Sequence, residues 1–271
     1  MKKISIYLAV ALFAAVSFSS YGQKGPKIDF SQWRLVIPEG SATTFKGQKL
    51  LDYNENLDIQ KYMYNDPTDK SLVFFFTPAL KPVGKPIMKT ELKEQNAFGG
   101  DAGWTFRNGA KFKATLKMGE LSRKNNEYPR IIFLQIGGRL KEEQVNLIGA
   151  KDKNAPAILK VFWDNGLIKL RSKRPINPKI SGNDLLKDEN WIDDDGYTFK
   201  NSVGFDKFTI QITISEGKME VNVDGEKKVY SGINYENWGV FDNYFTVGCN
   251  PQTDDTAVRA AVKYYSVELS H

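Results

Sequence analysis

The sequence predicts an all-β protein, a two-sheet sandwich or jelly roll of antiparallel strands with a groove on one face. Short runs of β character recur along the chain, and several alternate apolar and polar residues with the period of a half-buried strand. Two dipeptides, Asn165-Gly166 and Asp224-Gly225, separate neighbouring runs, and both tolerate the positive φ of a type I′ hairpin. No long stretch carries helical periodicity. Aromatic residues make up 13% of the chain, which suits strand packing or a stacking surface.

The 271-residue chain opens on MKKISIYLAVALFAAVSFSSYG. Lys2 and Lys3 form a basic start, and the apolar run that follows is too short and too close to the terminus for a membrane span. Ser20 and Gly22 are small residues suited to cleavage before Gln23. Residues 1–22 therefore read as a signal peptide and 23–271 as one domain, secreted or periplasmic, with no membrane span in the mature chain. Within that domain LVFFFT (72–77), KFKATLKM (111–118), IIFLQI (131–136), ILKVFW (158–163) and LIKLR (167–171) read as strands. KFTIQITI (207–214), KMEVNV (218–223), YFTVG (244–248) and 258–269 continue the series. Phe208, Ile210, Ile212 and Ile214 share one face; Lys207, Thr209, Gln211 and Thr213 share the other. Phe112, Ala114, Leu116 and Met118 oppose Lys111, Lys113, Thr115 and Lys117 in the same way, so each strand has one face in a core and one in water. Short helices are expected within 50–64 and 183–191.

Composition removes several classes of function. One Cys and one His exclude an internal disulfide framework and the usual Cys/His zinc sites. A His-dependent triad would have to use His271, the last residue of the sequence. No metal or cofactor is expected. The formal charge of +6 suits an anionic partner, either nucleic acid or an acidic polysaccharide. No nucleic-acid motif is present, so the polysaccharide is preferred, bound by a chain expected to be a monomer. Lys, Arg, Gln, Asn and Thr on a concave sheet would hydrogen-bond sugar hydroxyls and carboxylates.

Three segments, KTELKE (89–94), QIG (135–137) and YFTVGCNPQ (244–252), together resemble polysaccharide lyase family 7, the alginate lyase group of secreted β-jelly-roll enzymes. That family carries R-S/T-E-L-R, Q-I/V-H and Y-F-K-A-G-x-Y-x-Q in the same order. The early SQWRLVIPEG is similar to the family's opening strand, GFDKFTIQITISEGKMEVNVDGE to its late hairpin and VKYYSVELSH to its last strand, so the likeness covers nearly all of 30–271. The departures fall on the chemistry. Lys89 and Lys93 stand where the family has arginines, and lysine cannot form the planar fork of arginine with a carboxylate. Gly137 stands in place of the histidine, Thr246 in place of the lysine, and Asn250 in place of the tyrosine that acts on the leaving oxygen.

The resemblance implies β-elimination on a uronate-containing polymer of alginate, ulvan or glucuronan type. Such a lyase removes the C5 proton and expels the oxygen at C4. The neighbouring carboxylate must then be neutralised, a base must reach C5 and an acid must reach the glycosidic oxygen. Lys89, Gln135 and Tyr244 are the catalytic candidates: Lys89 and Gln135 on the carboxylate, Tyr244 for proton transfer if its strand turns it toward the groove. Glu91, Lys93, Arg139, Thr246, Asn250 and Gln252 are the substrate-binding candidates. Glu91 would orient Lys89 or Lys93, and a lysine with a lowered pKa in the Lys89, Lys93 and Arg139 cluster could itself be the base. Tyr128, Tyr197, Tyr264 and Tyr265 are further possible bases. The alternative is a catalytically inactive relative that binds the polymer.

Overall fold

The computed structural model describes residues 25–39, 43–77, 88–96, 98–255 and 257–271. The expected signal peptide lies outside them. Its strands, in chain order, are β1 (Lys27–Ile28), β2 (Trp33–Ile37), β3 (Thr43–Phe45), β4 (Met63–Asn65), β5 (Leu72–Phe76), β6 (Thr90–Glu94), β7 (Ala110–Leu121), β8 (Arg130–Arg139) and β9 (Asn154–Asp164). They continue with β10 (Leu167–Pro175), β11 (Trp191–Asp193), β12 (Tyr197–Thr198), β13 (Phe208–Ser215), β14 (Lys218–Val223), β15 (Glu226–Ser231), β16 (Asp242–Gln252) and β17 (Ala260–Ser270). One sheet runs β15-β14-β13-β7-β17-β5-β4, with β1 on β17. The other runs β11-β10-β9-β8-β16-β6-β2-β3, with β12 on β10. Among the described residues every pairing is antiparallel except the two-residue contact of β1 with β17. The result is the expected β-jelly roll.

Alternation builds the core. Phe208, Ile210, Ile212 and Ile214 are buried while Gln211 and Thr213 are exposed, and the inward set joins the common core, where Phe208 meets Phe133 of β8 edge to face at 5.7 Å. Burying whole Val, Ile, Leu or Phe side chains contributes about 1.5–3 kcal/mol each, which makes this two-sided apolar layer the main source of stability. Both expected hairpins form: Asn165 and Gly166 have φ of 49° and 90°, and Asp224 and Gly225 have 46° and 95°. The 50–64 region holds two one-turn helices, Gln48–Leu51 and Leu57–Gln60, and the 183–191 region folds as 3-10 turns. A helix at Glu142–Ile148 has no counterpart in the sequence reading, because seven residues give too few turns for a period to show.

One irregularity positions everything on the outer face of the second sheet. On β8, Ile132 pairs with Phe162 and Leu134 with Val161, so Phe133 is an extra residue, a β-bulge. Phe133 and Leu134 are consecutive and both lie in the core. Strict alternation from the inward Ile131 would turn Gln135 inward as well; the bulge resets the phase and turns it outward. The hydroxyl of Tyr264, on β17 of the opposite sheet, crosses the core and donates to the Phe133 carbonyl. Tyr264 is fully buried and burial holds its phenol well above its usual pKa, so it remains a proton donor at working pH. Tyr264→Phe should leave that carbonyl without its donor and lower unfolding free energy by about 1–3 kcal/mol, read by urea denaturation, with a circular-dichroism spectrum still of β type.

Candidate active site

Alternation on five strands brings the cationic motif residues to one face. On β6, Thr90, Leu92 and Glu94 are buried with the core side, which leaves Glu91 and Lys93 on the outer face. On β2, Trp33, Leu35 and Ile37 turn inward and Arg34 outward. On β16, Phe245 and Val247 turn inward and Tyr244 and Thr246 outward. On β9 and β10 the outward residues include Lys160 and Arg171. The registers align these side chains. Arg34 pairs with Lys93, Lys93 with Thr246, Thr246 with Gln135, Gln135 with Lys160 and Lys160 with Arg171. A single row therefore crosses six strands, with two uncharged side chains at its centre and two cations on either side.

At the centre, Gln135 is half-buried and its amide donates to Thr246 Oγ1 at 3.4 Å. Tyr244 lies beside it, opposite Gly137 in the β8–β16 register. A Cβ on Gly137 would stand 2.4 Å from Cζ and 2.6 Å from Oη of Tyr244, so the phenol end of Tyr244 occupies the space a side chain at 137 would need. Lys93 Nζ sits 4.1 Å from the Tyr244 ring centroid and Arg139 Cζ 5.0 Å, both favourable cation–π distances. Burial raises the Tyr244 pKa, helped by the charge of Glu91 and opposed by Arg139 and Arg34. Lys93 moves the other way: burial, then repulsion from Arg139, Arg34 and Lys89, lowers its ammonium to about 8. Burial also lowers Arg139. Two neighbouring groups thus have their titrations pushed in opposite directions from those of solvent-exposed side chains.

The remaining candidates separate around this centre. Lys89 makes an ion pair with the buried Glu91, so Glu91 orients Lys89 and takes up its charge. Arg139 and Arg34 both bind Asp101, each at 2.7 Å, and this carboxylate closes one end of the row. Asn250 and Gln252 lie beyond a second irregularity, where β16 shifts register between Val247 and Asn250. There the Gln252 amide donates to Asn250 Oδ1 at 2.8 Å, and Gln252 lines a separate cavity of about 400 Å³ with Arg130 and Asp255. Asn250 stands opposite Ile132 in the β8–β16 register, three residues along β8 from Gln135, and among the described residues no hydrogen bond joins this pair to Gln135. Among the other tyrosines, Tyr264 is in the core, Tyr265 donates to Asp69 on the opposite sheet, Tyr197 donates to Glu226, and Tyr128 stacks under Arg123. None of these bonds is to a residue of the row. His271 is not a loose end: its Nε2 meets Glu94 Oε1 at 2.6 Å and its ring stacks on Trp104. Glu94 also accepts from the Phe245 backbone at 2.7 Å and from Trp104 Nε1 at 3.1 Å, so this group locks β6, β16 and β17 together rather than forming a triad. Among the described residues no cluster of three or more His, Cys, Asp or Glu could hold a metal, and no helix is long and apolar enough to cross a membrane.

Sequence reasoning missed Arg34, Asp101, Lys160 and Arg171. The alternation of WRLVI and ILKVFW placed Arg34 and Lys160 opposite apolar neighbours, but nothing local showed that their strands share a sheet with Gln135.

The family model for alginate lyases matches residues 28–271. The chain belongs to this alginate lyase family. No curated protein matches it. Among solved structures, alginate lyase A1-II′, a member of polysaccharide lyase family 7, is 20% identical, with 90% of this chain and 96% of that one covered and a TM-score of 0.62. Alginate lyase PA1167 from Pseudomonas aeruginosa is 19% identical over 90% of this chain and all of its own (100%), with a TM-score of 0.61. A1-II′ has also been solved in complex with a substrate, GGMG. At these identities the structures share the fold with this alginate lyase relative.

The lowered pKa of Lys93 has a consequence for stability. A lysine titrates near 10.4 in an unfolded chain, and here near 8. Between those values the unfolded state holds more protons than the native one, so stability rises with pH across that window. Below it the buried ammonium destabilises the fold. Lys93→Met should therefore raise unfolding free energy at pH 7 by roughly 1–2 kcal/mol, after discounting for partial solvent screening. The difference should shrink between pH 8 and 10 in denaturant titrations.

Proposed function

We propose that this protein is a secreted polysaccharide lyase that cleaves a uronate-containing polymer by β-elimination, with a proton-transfer pair made of Lys93 and Tyr244. The observation that carries the reading is the packing of Tyr244 over Gly137, with Lys93 against its ring. The family pattern carries a histidine at 137; here the Tyr244 phenol fills the space a side chain at 137 would need, and the Lys93 amine lies 4.1 Å from its ring.

The roles follow from the titrations. With a pKa near 8, Lys93 has a neutral fraction at neutral pH and takes the C5 proton. Tyr244, held protonated by burial, gives its proton to the glycosidic oxygen. The C5–H electron pair becomes the C4=C5 double bond and the C4–O bond breaks. Gln135 donates its amide to the sugar carboxylate while Arg139 and Arg34 supply positive potential, which stabilises the charge that builds there. Groups whose environments drive their pKa values apart are the usual arrangement for an acid and a base in one site. Lys89, paired with Glu91, holds the edge of the site. Alginate is the first polymer to try, since the relatives above are alginate lyases; glucuronan and ulvan are the others. Export is proposed from the signal-peptide pattern expected at 1–22.

The unsaturated uronate absorbs in the ultraviolet, so a panel of alginate, glucuronan and ulvan gives a direct assay. One of them should yield the chromophore, with kcat/KM rising tenfold per pH unit below about 8. Tyr244→Phe and Gln135→Ala should each lose at least about a hundredfold, and Gly137→Ala should lose activity by displacing the phenol. An absent chromophore with every polymer, while one of them still retards the protein, would establish an inactive binding relative instead.

A further inference from the structure

We infer that the trough holds a second carboxylate subsite, on β9 and β10, in which Lys160 and Arg171 take the acid group of a neighbouring sugar in the bound polymer. The inference takes the identity of the reacting centre from the lyase reading, but it concerns binding and does not require turnover.

Register fixes where these two cations lie. Lys160 is the direct partner of Gln135 on the next strand, and Arg171 is the direct partner of Lys160 on the strand after that. Neighbouring strands are about 4.8 Å apart, close to the length of one hexopyranose unit in a 1,4-linked chain. A polymer laid across the strands with one carboxylate at Gln135 therefore brings its following sugars over Lys160 and then Arg171.

The two ends of the row differ in what already neutralises them. At the β2 end the chain supplies its own anion: Asp101 binds Arg34 and Arg139 at once, so a polymer carboxylate arriving there must compete with it. At the β10 end the balance is positive. Lys160 makes no ion pair among the described residues, and Arg171 gives Nη1 only to the Asp194 carbonyl at 2.8 Å. Asp193, a carboxylate whose titration both of them affect, is bound by Lys173 at 2.8 Å, and Lys173, Lys160 and Arg171 together hold its carboxyl below the usual range against the opposing effect of burial. The Asp194 carboxylate is occupied by the Ser172 and Gly196 backbone amides. Three cations thus act on one carboxylate that Lys173 already binds, and the positive surplus falls on Lys160 and Arg171, next to Gln135. Like charges aligned across a sheet repel one another, and an anionic ligand relieves that repulsion.

The test is affinity electrophoresis of the Tyr244→Phe protein, which should not degrade the gel, through polymannuronate, polyguluronate and glucuronan. At least one polymer should retard it. Lys160→Ala and Arg171→Ala should each weaken that retardation roughly three- to tenfold in apparent Kd. Lys160→Arg should keep it, and a carboxyl-reduced form of the same polymer should retard none of the proteins. Lys111→Ala with Lys113→Ala, on the opposite sheet, removes two positive charges and should have little effect. Equal retardation of the Lys160 and Arg171 variants and their parent overturns the inference. So does an equal loss from the Lys111 and Lys113 control, or a parent that no polymer retards. A retardation that depends on Lys160, in a protein that gives no chromophore, leaves the subsite standing and removes the lyase reading alone.

Discussion

The hydrogen bond from Tyr264 to the Phe133 carbonyl is the contact on which the outer face of the second sheet depends. A β-bulge leaves a backbone group out of the ladder, and a buried carbonyl without a donor is costly. Tyr264 supplies the donor from the opposite sheet. With the bulge held, Leu134 stays in the core beside Phe133, and Gln135 emerges between Thr246 and Lys160. Were the bulge to relax, the amide would turn into an apolar layer where it has no partner, and the row of side chains across six strands would lose its uncharged centre.

That row is electrostatically unfavourable in isolation. Arg34, Lys93, Lys160 and Arg171 lie in register, and carboxylates offset part of their repulsion: Asp101 at one end, Glu91 beside Lys93, and Asp193 near the other end. The middle is left with a depressed lysine and a raised phenol, a local instability of the kind expected where binding or catalysis is selected over stability. An acidic polymer is the natural complement, because its regularly spaced carboxylates answer regularly spaced cations. The Lys93 and Tyr244 arrangement also accounts for the bare backbone at position 137: any side chain there would collide with the phenol.

The fold was legible in the sequence because its signals are local. Period-two runs such as KFTIQITI, the Asn-Gly and Asp-Gly turns and the near absence of helical pattern require only neighbouring residues to interpret. The site was legible in part. KTELKE named Glu91 and Lys93 through the family likeness, and the motif order grouped Gln135 with Tyr244. Asn250 and Gln252 were grouped with them by motif alone, and past the register shift in β16 they bond each other and not Gln135.

By itself the sequence determined the strands, the two hairpins, the apolar faces and the cationic character of the outer one, since each follows from side-chain type and spacing along a single segment. Only the tertiary structure decided which way Gln135 points, because IIFLQI is apolar on both faces and carries no phase of its own. It also decided that Arg34, Lys160 and Arg171 join the row, that Asp101 closes one end, and that Tyr244 fills the space above Gly137. Those facts depend on inter-strand register, and register is set by bulges and by contacts between residues far apart in the chain.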